Sequence, residues 1–195
     1  MIELAILGLL KERPMHGYQL SRELADQLAG LWRVSFGSLY PTLRRLEREG
    51  AIEATPGDTG GRRKTIYRIT PAGEQLFLEL LQESPTEGAQ VEDTRFRLRL
   101  AFFRYLPPET RVRLLERRRA NLQGRLAEIK QHLRAPAELD DYQRALMEHG
   151  RAAIEADVAW LTDLIQQERR KYGITAPQGE RRRASATLHR KERTV

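Results

Sequence analysis

Apolar positions three and four residues apart predict three helices in the first 50 residues. The first helix occupies residues 2–10, and a second helix follows Gly17. The third spans residues 35–49, and Gly50 is a favoured left-handed stop after it. The apolar side of the second helix consists of Tyr18, Leu20, Leu24 and Leu28.

Two short extended runs follow, at residues 51–55 and 64–70. The turn-rich stretch PGDTGGRR between them predicts the tip of a hairpin. Thr70 precedes Pro71, a pair typical of the N-cap and first position of a helix. The order of three helices, hairpin and helix is typical of a winged helix-turn-helix with a two-stranded wing.

The second half of the chain is predicted to be helical, which makes the protein mainly α. The helical pattern breaks at Pro107-Pro108 and near Pro136, and Gly173 ends the last helix. The expected organisation is a winged helix domain at 1–82, a linker at 83–90, a helical dimerisation and effector domain at 91–173 and a disordered basic tail at 174–195.

The third predicted helix has one apolar face and one basic face. At about 100° of rotation per residue, Leu39, Leu43 and Leu46 form a buried stripe. The opposite face carries arginines, with small residues at its N-terminal end, which suits entry into the major groove of DNA. Ser35 or Ser38 serves as the N-cap. A solvated charged face on an ordinary amphipathic helix is the alternative. The candidate DNA-contacting residues are Ser35, Gly37, Ser38, Tyr40, Pro41, Arg44, Arg45 and Arg48.

The tip of the predicted hairpin adds a second basic element, because three cations follow two glycines there. A wing of this kind lies along the phosphate backbone or in the minor groove, where cations gain affinity by releasing counterions. A basic turn often serves solubility alone, but directly after a helix with a basic face it favours DNA binding. The candidate wing residues are Gly61, Arg62, Arg63 and Lys64.

Charge is unevenly distributed over the 195 residues. The net charge is +7, and the last 15 residues hold six basic residues against one acidic residue. Residues 1–82 are close to balanced, but the segment from Arg33 to Arg68 has eight basic residues against four acidic residues. Within the folded part, that segment is the one suited to a polyanionic partner.

Composition excludes several classes of protein and site. Cysteine is absent, which excludes disulfides, thiolate metal sites and a cysteine nucleophile, and which suits the reducing cytosol. The N-terminal apolar run lacks the features of a secretory signal, and no apolar stretch is long enough to span a membrane. We therefore expect a cytoplasmic protein that has no membrane partner.

Four runs of the sequence resemble one family of regulators. HGYQL (16–20), FGSLYPTLRRLEREG (36–50) and GRRKTIYRITPAGE (61–74) resemble the PadR family of transcriptional regulators. RFRLRLAFFRYLPPE (95–109) resembles the start of the family's virulence-activator-type helical C-terminal domain. The resemblance implies a homodimeric repressor that leaves its operator when an effector binds. It also implies that the third helix contacts the groove and that the wing contacts the backbone.

The first long helix of the second half carries an apolar seam at coiled-coil spacing, which only Arg119 interrupts. Leaving its six apolar side chains in water would forgo on the order of 10 kcal/mol, so something must cover them. A second stripe from Leu139 to Trp160 can pair with the seam, and a second chain would complete the core. A monomeric three-helix bundle is the alternative. The candidate dimerisation residues are Val112, Leu115, Leu122, Leu126, Ile129, Leu133, Leu146 and Trp160.

Dimerisation has a consequence for the DNA partner. Two recognition helices related by a two-fold axis require an inverted-repeat, palindromic operator in double-stranded DNA.

Other chemistry finds little support in the sequence. Phe96, Phe103 and Trp160 are candidate contacts for a small aromatic effector, with ordinary core packing as the alternative. The four histidines show no metal-ligand spacing and no catalytic motif occurs, so we expect no metal, no cofactor and no enzymatic activity. A helical adaptor whose winged helix binds protein is a different class. Acidic or apolar residues on the outer face of the third helix would support it, and the arginines there argue against it.

Overall fold

The elements of residues 1–83 follow the order that the apolar pattern predicts. They come from a computed structural model, which describes residues 1–27, 36–57, 64–83, 89–134 and 140–175. The helices are α1 (Ile2–Glu12), α2 (Gly17–Gln27), α3 (Phe36–Arg48) and α4 (Pro71–Gln82), and the strands are β1 (Met15–His16), β2 (Ile52–Gly57) and β3 (Lys64–Ile69). Together they confirm the winged helix-turn-helix.

The sheet has three antiparallel strands in the order β1-β3-β2. The predicted two-stranded wing is the pair β2 and β3, in which Ile52 lies opposite Ile69 and Gly57 lies opposite Lys64. Strand β1 is an additional element that the sequence pattern did not predict. Its two residues pair with the middle of β3, Met15 opposite Tyr67, and so attach the start of α2 to the wing.

The core of the winged helix lies around α1, whose residues from Leu4 to Leu10 are all buried. Leu39, Leu43 and Leu46 of α3 are fully buried, which confirms the predicted stripe. The prediction for Tyr18 is wrong, because its side chain is 72% exposed while Leu20 and Leu24 of α2 are buried. Tyr18 is in the first turn of α2, where the phenol can project into solvent; Leu28 lies outside the described residues.

The helix ends of the winged helix follow the predicted signals. Gly50 has a φ of +71° after α3, the left-handed conformation that glycine adopts without strain. The Thr70 hydroxyl accepts a hydrogen bond from the Gly73 N–H at 3.1 Å and donates one to the Gly50 carbonyl at 2.6 Å. The N-cap alternative at Ser38 is wrong, because α3 begins at Phe36 and Ser38 lies inside its first turn. Ser35, the other alternative, lies outside the described residues.

The chain divides into two units, Met1–Leu106 and Pro107–Val195. Helix α5 (Ala89–Ala101) and a short 3₁₀ turn (Phe103–Tyr105) belong to the first unit, so the division lies after the predicted linker at 83–90.

Aromatic packing explains why the first unit extends so far. The Phe77 ring of α4 packs edge-on against Phe102 and Tyr105, with centroid distances of 5.7 Å and 5.5 Å. A Cβ added at Gly8 of α1 would overlap the Phe102 ring, so this contact depends on glycine. The segment after α5 thus completes the core that α1 and α4 begin.

The second unit is an antiparallel pair of long helices, α6 (Pro108–Arg134) and α7 (Asp141–Tyr172). Three ion pairs set their register: Arg169 with Glu116, Arg111 with Glu168 at 3.4 Å, and Lys130 with Glu155 at 2.8 Å. Asp140 caps α7 in a reciprocal capping box with Gln143, and Gly173 ends it with a φ of +66°. The predicted stop at Gly173 is confirmed.

The stripe predicted to pair with the α6 seam does not do so. The buried apolar residues of α7 are instead Ile154, Leu161 and Ile165. Ile154, Leu161 and Ile165 are large aliphatic side chains at helical spacing, and their packing decides which side of α7 is buried. Leu139 lies outside the described residues. The other members of the predicted stripe are exposed and form what we call the outer stripe: Tyr142, Leu146, His149, Ala153, Ala156 and Trp160.

The seam on α6 is partly covered within a single chain. Val112, Leu115 and Leu122 are buried, so their burial does not require a second chain. Within the described residues, no helix is long and apolar enough to cross a membrane.

Candidate nucleic-acid interface

The outward side of α3 carries the predicted basic face. Arg44 and Arg48 are exposed, and so are Gly37 and Pro41 at the N-terminal side of the same face. The Arg48 Nε donates a weak hydrogen bond of 3.4 Å to the Arg44 carbonyl. Since Leu39, Leu43 and Leu46 fix the opposite side in the core, this face is held toward solvent. It presents cations on a rigid helix, as groove recognition requires.

Arg45 departs from the prediction, because its side chain does not lie on this open face. Its guanidinium bonds the carboxylate of Glu3 on α1 and lies 3.6 Å from Glu49. At about 100° per residue, Arg45 falls on the flank of α3 rather than opposite the buried stripe, which places it beside α1. Ser38, on the same flank, is half-buried, and its carbonyl accepts a hydrogen bond from Thr42 at 2.7 Å.

The other flank of α3 forms one wall of a recess of about 350 Å³ between α2, α3 and β3. Tyr40 of α3 is 47% exposed and Tyr18 of α2 is 72% exposed. A Cβ added at Gly17 would lie 3.2 Å from the Tyr40 ring, so the ring packs closely on the start of α2. The residues that line the recess are His16, Gly17, Tyr18, Gln19, Tyr40, Thr65 and Tyr67.

His16 ties the recess together. Its backbone N–H donates to the Gln19 side chain at 3.0 Å, and its ring Nδ1 lies 3.2 Å from the Thr65 carbonyl. Because β1 pairs with β3, these contacts fix α2 against the wing strand. The recess therefore has rigid walls and several polar groups, and it adjoins the basic face of α3.

The electrostatics of the recess favour the neutral form of Tyr67. Partial burial raises the pKa of Tyr67 above its usual value, and the Glu47 carboxylate raises it further. Arg44 is close enough for its charge to oppose this shift in the pKa. Tyr67 therefore keeps its proton at neutral pH and can donate a hydrogen bond to an anion such as a phosphate.

For the wing, the structure describes the two strands β2 and β3 but not residues 58–63 between them. Gly61, Arg62 and Arg63 lie outside the described residues, and Lys64 is the first residue of β3. Near the end of the strands that is far from the tip, Arg68 of β3 lies 3.8 Å from the Glu53 carboxylate of β2. The predicted wing contacts thus remain predictions.

The candidate effector residues fall in different units of the chain, and two of the three are buried. Phe96 and Phe103 are each 7% exposed and pack edge-on at 6.3 Å, as core residues do. Trp160 belongs to the second unit and is 46% exposed. Within the described ranges, no group of three or more histidine, aspartate or glutamate side chains is placed to hold a metal ion.

Sequence reasoning missed Tyr18, His16 and Tyr67 as parts of the interface. Periodicity alone places Tyr18 on the apolar side of α2, although a tyrosine fits either side of an amphipathic helix. The signal that would have separated it is its position beside Gly17, in the first turn of α2, where it can face outward. The contribution of His16 depends on β1, a strand of two residues that carries no periodic pattern.

Comparisons with known proteins identify the family that the chain resembles. The model of the Transcriptional regulator PadR-like family matches residues 6–79, and that of Virulence activator alpha C-term matches residues 94–168. The chain is 38% identical over 78 residues to Transcriptional regulator Rv3488 of Mycobacterium tuberculosis, covering 40% of this chain and 70% of that protein. It is 26% identical over 130 residues to Negative transcriptional regulator PadR of Bacillus subtilis, covering 66% of this chain and 71% of that protein.

Solved structures are also similar. The crystal structure of Bacillus subtilis PadR in complex with operator DNA aligns with 22% identity and a TM-score of 0.43, covering 86% of this chain and 98% of that chain.

Proposed function

Because the chain belongs to the PadR-like family of DNA-binding transcriptional regulators, we propose that it is a homodimeric repressor that binds an inverted-repeat operator and leaves it when an effector binds. The observation that carries the proposal is the exposed face of α3, with Arg44 and Arg48 on a helix whose opposite side is fully buried. Two relatives of the chain come from bacteria, whose DNA lies in the cytoplasm, so we place the protein in the cytoplasm.

The proposed DNA contacts combine base recognition with anchoring on the backbone. Arg44 donates to a guanine edge in the major groove, and Arg48 contacts a neighbouring base or phosphate. The hydroxyls of Tyr18 and Tyr40 donate hydrogen bonds to phosphates beside the recess. These contacts set the depth and angle of α3 in the groove. The wing cations lie along the backbone or the minor groove, as the sequence predicts for Arg62.

Homodimerisation is supported by the outer stripe of α7. Tyr142 is 89% exposed, Leu146 is 72% exposed and Trp160 is 46% exposed, all along one side of a 32-residue helix. Burying a large apolar side chain contributes roughly 1.5–3 kcal/mol, so a second copy that covers this stripe gains affinity. In this proposal Leu146 and Trp160 lie at the interface between copies, and the palindromic operator follows from the two-fold axis.

The repressor role is supported by the name of a relative, the Negative transcriptional regulator PadR of Bacillus subtilis. A repressor of this kind blocks transcription by occupying its operator. The effector then acts by binding the DNA-free arrangement of the dimer more tightly than the DNA-bound one. Of the three candidate effector residues, Trp160 is the one exposed in the single chain, so a small aromatic effector that stacks on Trp160 would bind at the interface between copies.

Selection of bound fragments from a random double-stranded DNA pool tests the proposed function. We expect an inverted repeat whose half-site centres are about 10 base pairs, or a multiple of that, apart. Recovery of single half-sites would contradict the dimeric operator. Recovery of unrelated fragments would contradict sequence-specific binding. A scrambled version of the recovered sequence, put through the same selection, provides the control.

A further inference from the structure

Arg45 is held on the side of α3 that faces α1. Its Nη2 donates a hydrogen bond to the Glu3 carboxylate in the first turn of α1, and its Nη1 lies 3.6 Å from the Glu49 carboxylate. The Arg45 side chain is 40% exposed and that of Glu3 is 27% exposed. Two carboxylates therefore offset the charge of a guanidinium that solvent still reaches.

The rotation of α3 does not by itself keep Arg45 away from its basic face. Arg45 lies about 100° from Arg44 around the helix, an angle that a long arginine side chain can span. The helix cannot turn, because its apolar stripe is fully buried. The bond to Glu3 is thus the contact from another helix that holds the guanidinium on this side of α3, beside Glu49 of the segment that follows α3.

We propose that Glu3 is a specificity-determining residue that holds Arg45 away from DNA. The inference rests on the proposed function, in which α3 binds DNA. A cation that contacts a phosphate adds affinity for every sequence, because it releases counterions. Withdrawing Arg45 lowers this sequence-independent affinity and leaves the base contact of Arg44 intact. The ratio of specific to non-specific affinity rises as a result.

The substitution Glu3→Gln tests this role in the full-length chain. It keeps the shape of the side chain and removes the charge that holds Arg45. We expect tighter binding to a scrambled duplex and a slope of log affinity against log salt that is steeper by about 0.9, the value for one added phosphate contact. Between 50 mM and 200 mM salt, one such contact changes affinity by about 3.5-fold, so the gain is largest at low salt.

Arg45→Gln and the double variant separate this role from a general effect of charge. Arg45→Gln is expected to leave the salt slope of the wild type unchanged, because Arg45 makes no phosphate contact while Glu3 holds it. The double variant is expected to match Arg45→Gln, since the gain from Glu3→Gln depends on Arg45. Melting curves confirm that each variant is folded before its affinity is compared.

Three results would overturn the inference. A slope flatter by about one in Arg45→Gln would mean that Arg45 contacts DNA in the wild type. An equal gain in Glu3→Gln and in the double variant would mean that Glu3 acts only through its charge. Arg44→Gln separates either result from a failure of the proposed function. If Arg44→Gln weakens binding while Glu3→Gln changes nothing, only the role of Glu3 is wrong; if no variant or wild type binds DNA, the proposed function is wrong.

Discussion

Replacing Arg44 with alanine is expected to weaken operator binding by about 1–3 kcal/mol, which is about 5- to 150-fold. Arg44 is exposed on the outward face of α3, and the buried stripe of that helix prevents it from shifting to compensate. A guanidinium donates two parallel hydrogen bonds to a guanine edge, which alanine cannot replace. The loss is therefore expected at one base pair of each half-site, where the variant no longer distinguishes guanine from the other bases.

Titrations of Arg44→Ala against duplexes with single base-pair changes measure this effect. Arg97→Ala is the matched control, because it removes an exposed arginine of α5 in the same unit without touching α3. The control is expected to keep the sequence preference of the wild type. If Arg44→Ala keeps the base preference of the wild type at every position, Arg44 makes no base contact.

The double substitution Leu146→Asp and Trp160→Asp is expected to yield a monomer that binds the operator about 100-fold or more weakly. Both side chains lie on the outer stripe and are exposed in the single chain, so the change leaves the α6–α7 pairing intact. At the apolar interface of a dimer, the two aspartates in each copy would remove buried apolar area and would repel the aspartates of the other copy. Without the partner, each winged helix binds a half-site alone and the gain from linked binding, about 100-fold to 10,000-fold, disappears.

Sedimentation gives the oligomeric state, and an operator titration gives the affinity. Ala152→Asp with Ala159→Asp is the matched control, because these exposed alanines lie on α7 about a quarter of a turn from the centre of the outer stripe, where Trp160 lies. The control makes the same change in charge on the same helix and is expected to remain a dimer. If the double variant at Leu146 and Trp160 remains a dimer, the outer stripe is not the dimer interface.

The sequence was sufficient for the parts of the fold that depend on local periodicity and helix ends. The spacing of Leu39, Leu43 and Leu46 defines both faces of α3, because burial of that stripe leaves only one orientation for the helix. Gly50 and Thr70 mark helix ends whose signals are local. The basic face of α3 follows directly from the same periodicity, so this part of the candidate interface could be predicted.

The remaining features depend on contacts between distant parts of the chain. Arg45 binds Glu3, which is 42 positions away, and no spacing rule links them. Strand β1 has two residues and exists only because β3 offers it hydrogen bonds. On α7 two apolar stripes with helical spacing lie side by side, and only packing against α6 decides that Ile154 and Ile165 are buried while Trp160 is exposed.

A local sequence pattern also does not predict the boundary between the two units. Residues 83–90 have the composition of a linker, yet α5 begins at Ala89 and belongs to the first unit. Three-dimensional packing of Phe102 on Phe77 extends that unit to Leu106. For this reason point substitutions on α7, rather than truncation after residue 82, are the appropriate test of dimerisation.

Interference by dimethyl sulfate on the selected operator tests most directly whether α3 occupies the major groove. The reagent methylates guanine N7, which faces the major groove, and adenine N3, which faces the minor groove. The account predicts that N7 methylation of a guanine in either half-site prevents binding, because the methyl group occupies the acceptor that Arg44 uses. Binding that tolerates N7 methylation throughout both half-sites, with interference at adenine N3 alone, would contradict it.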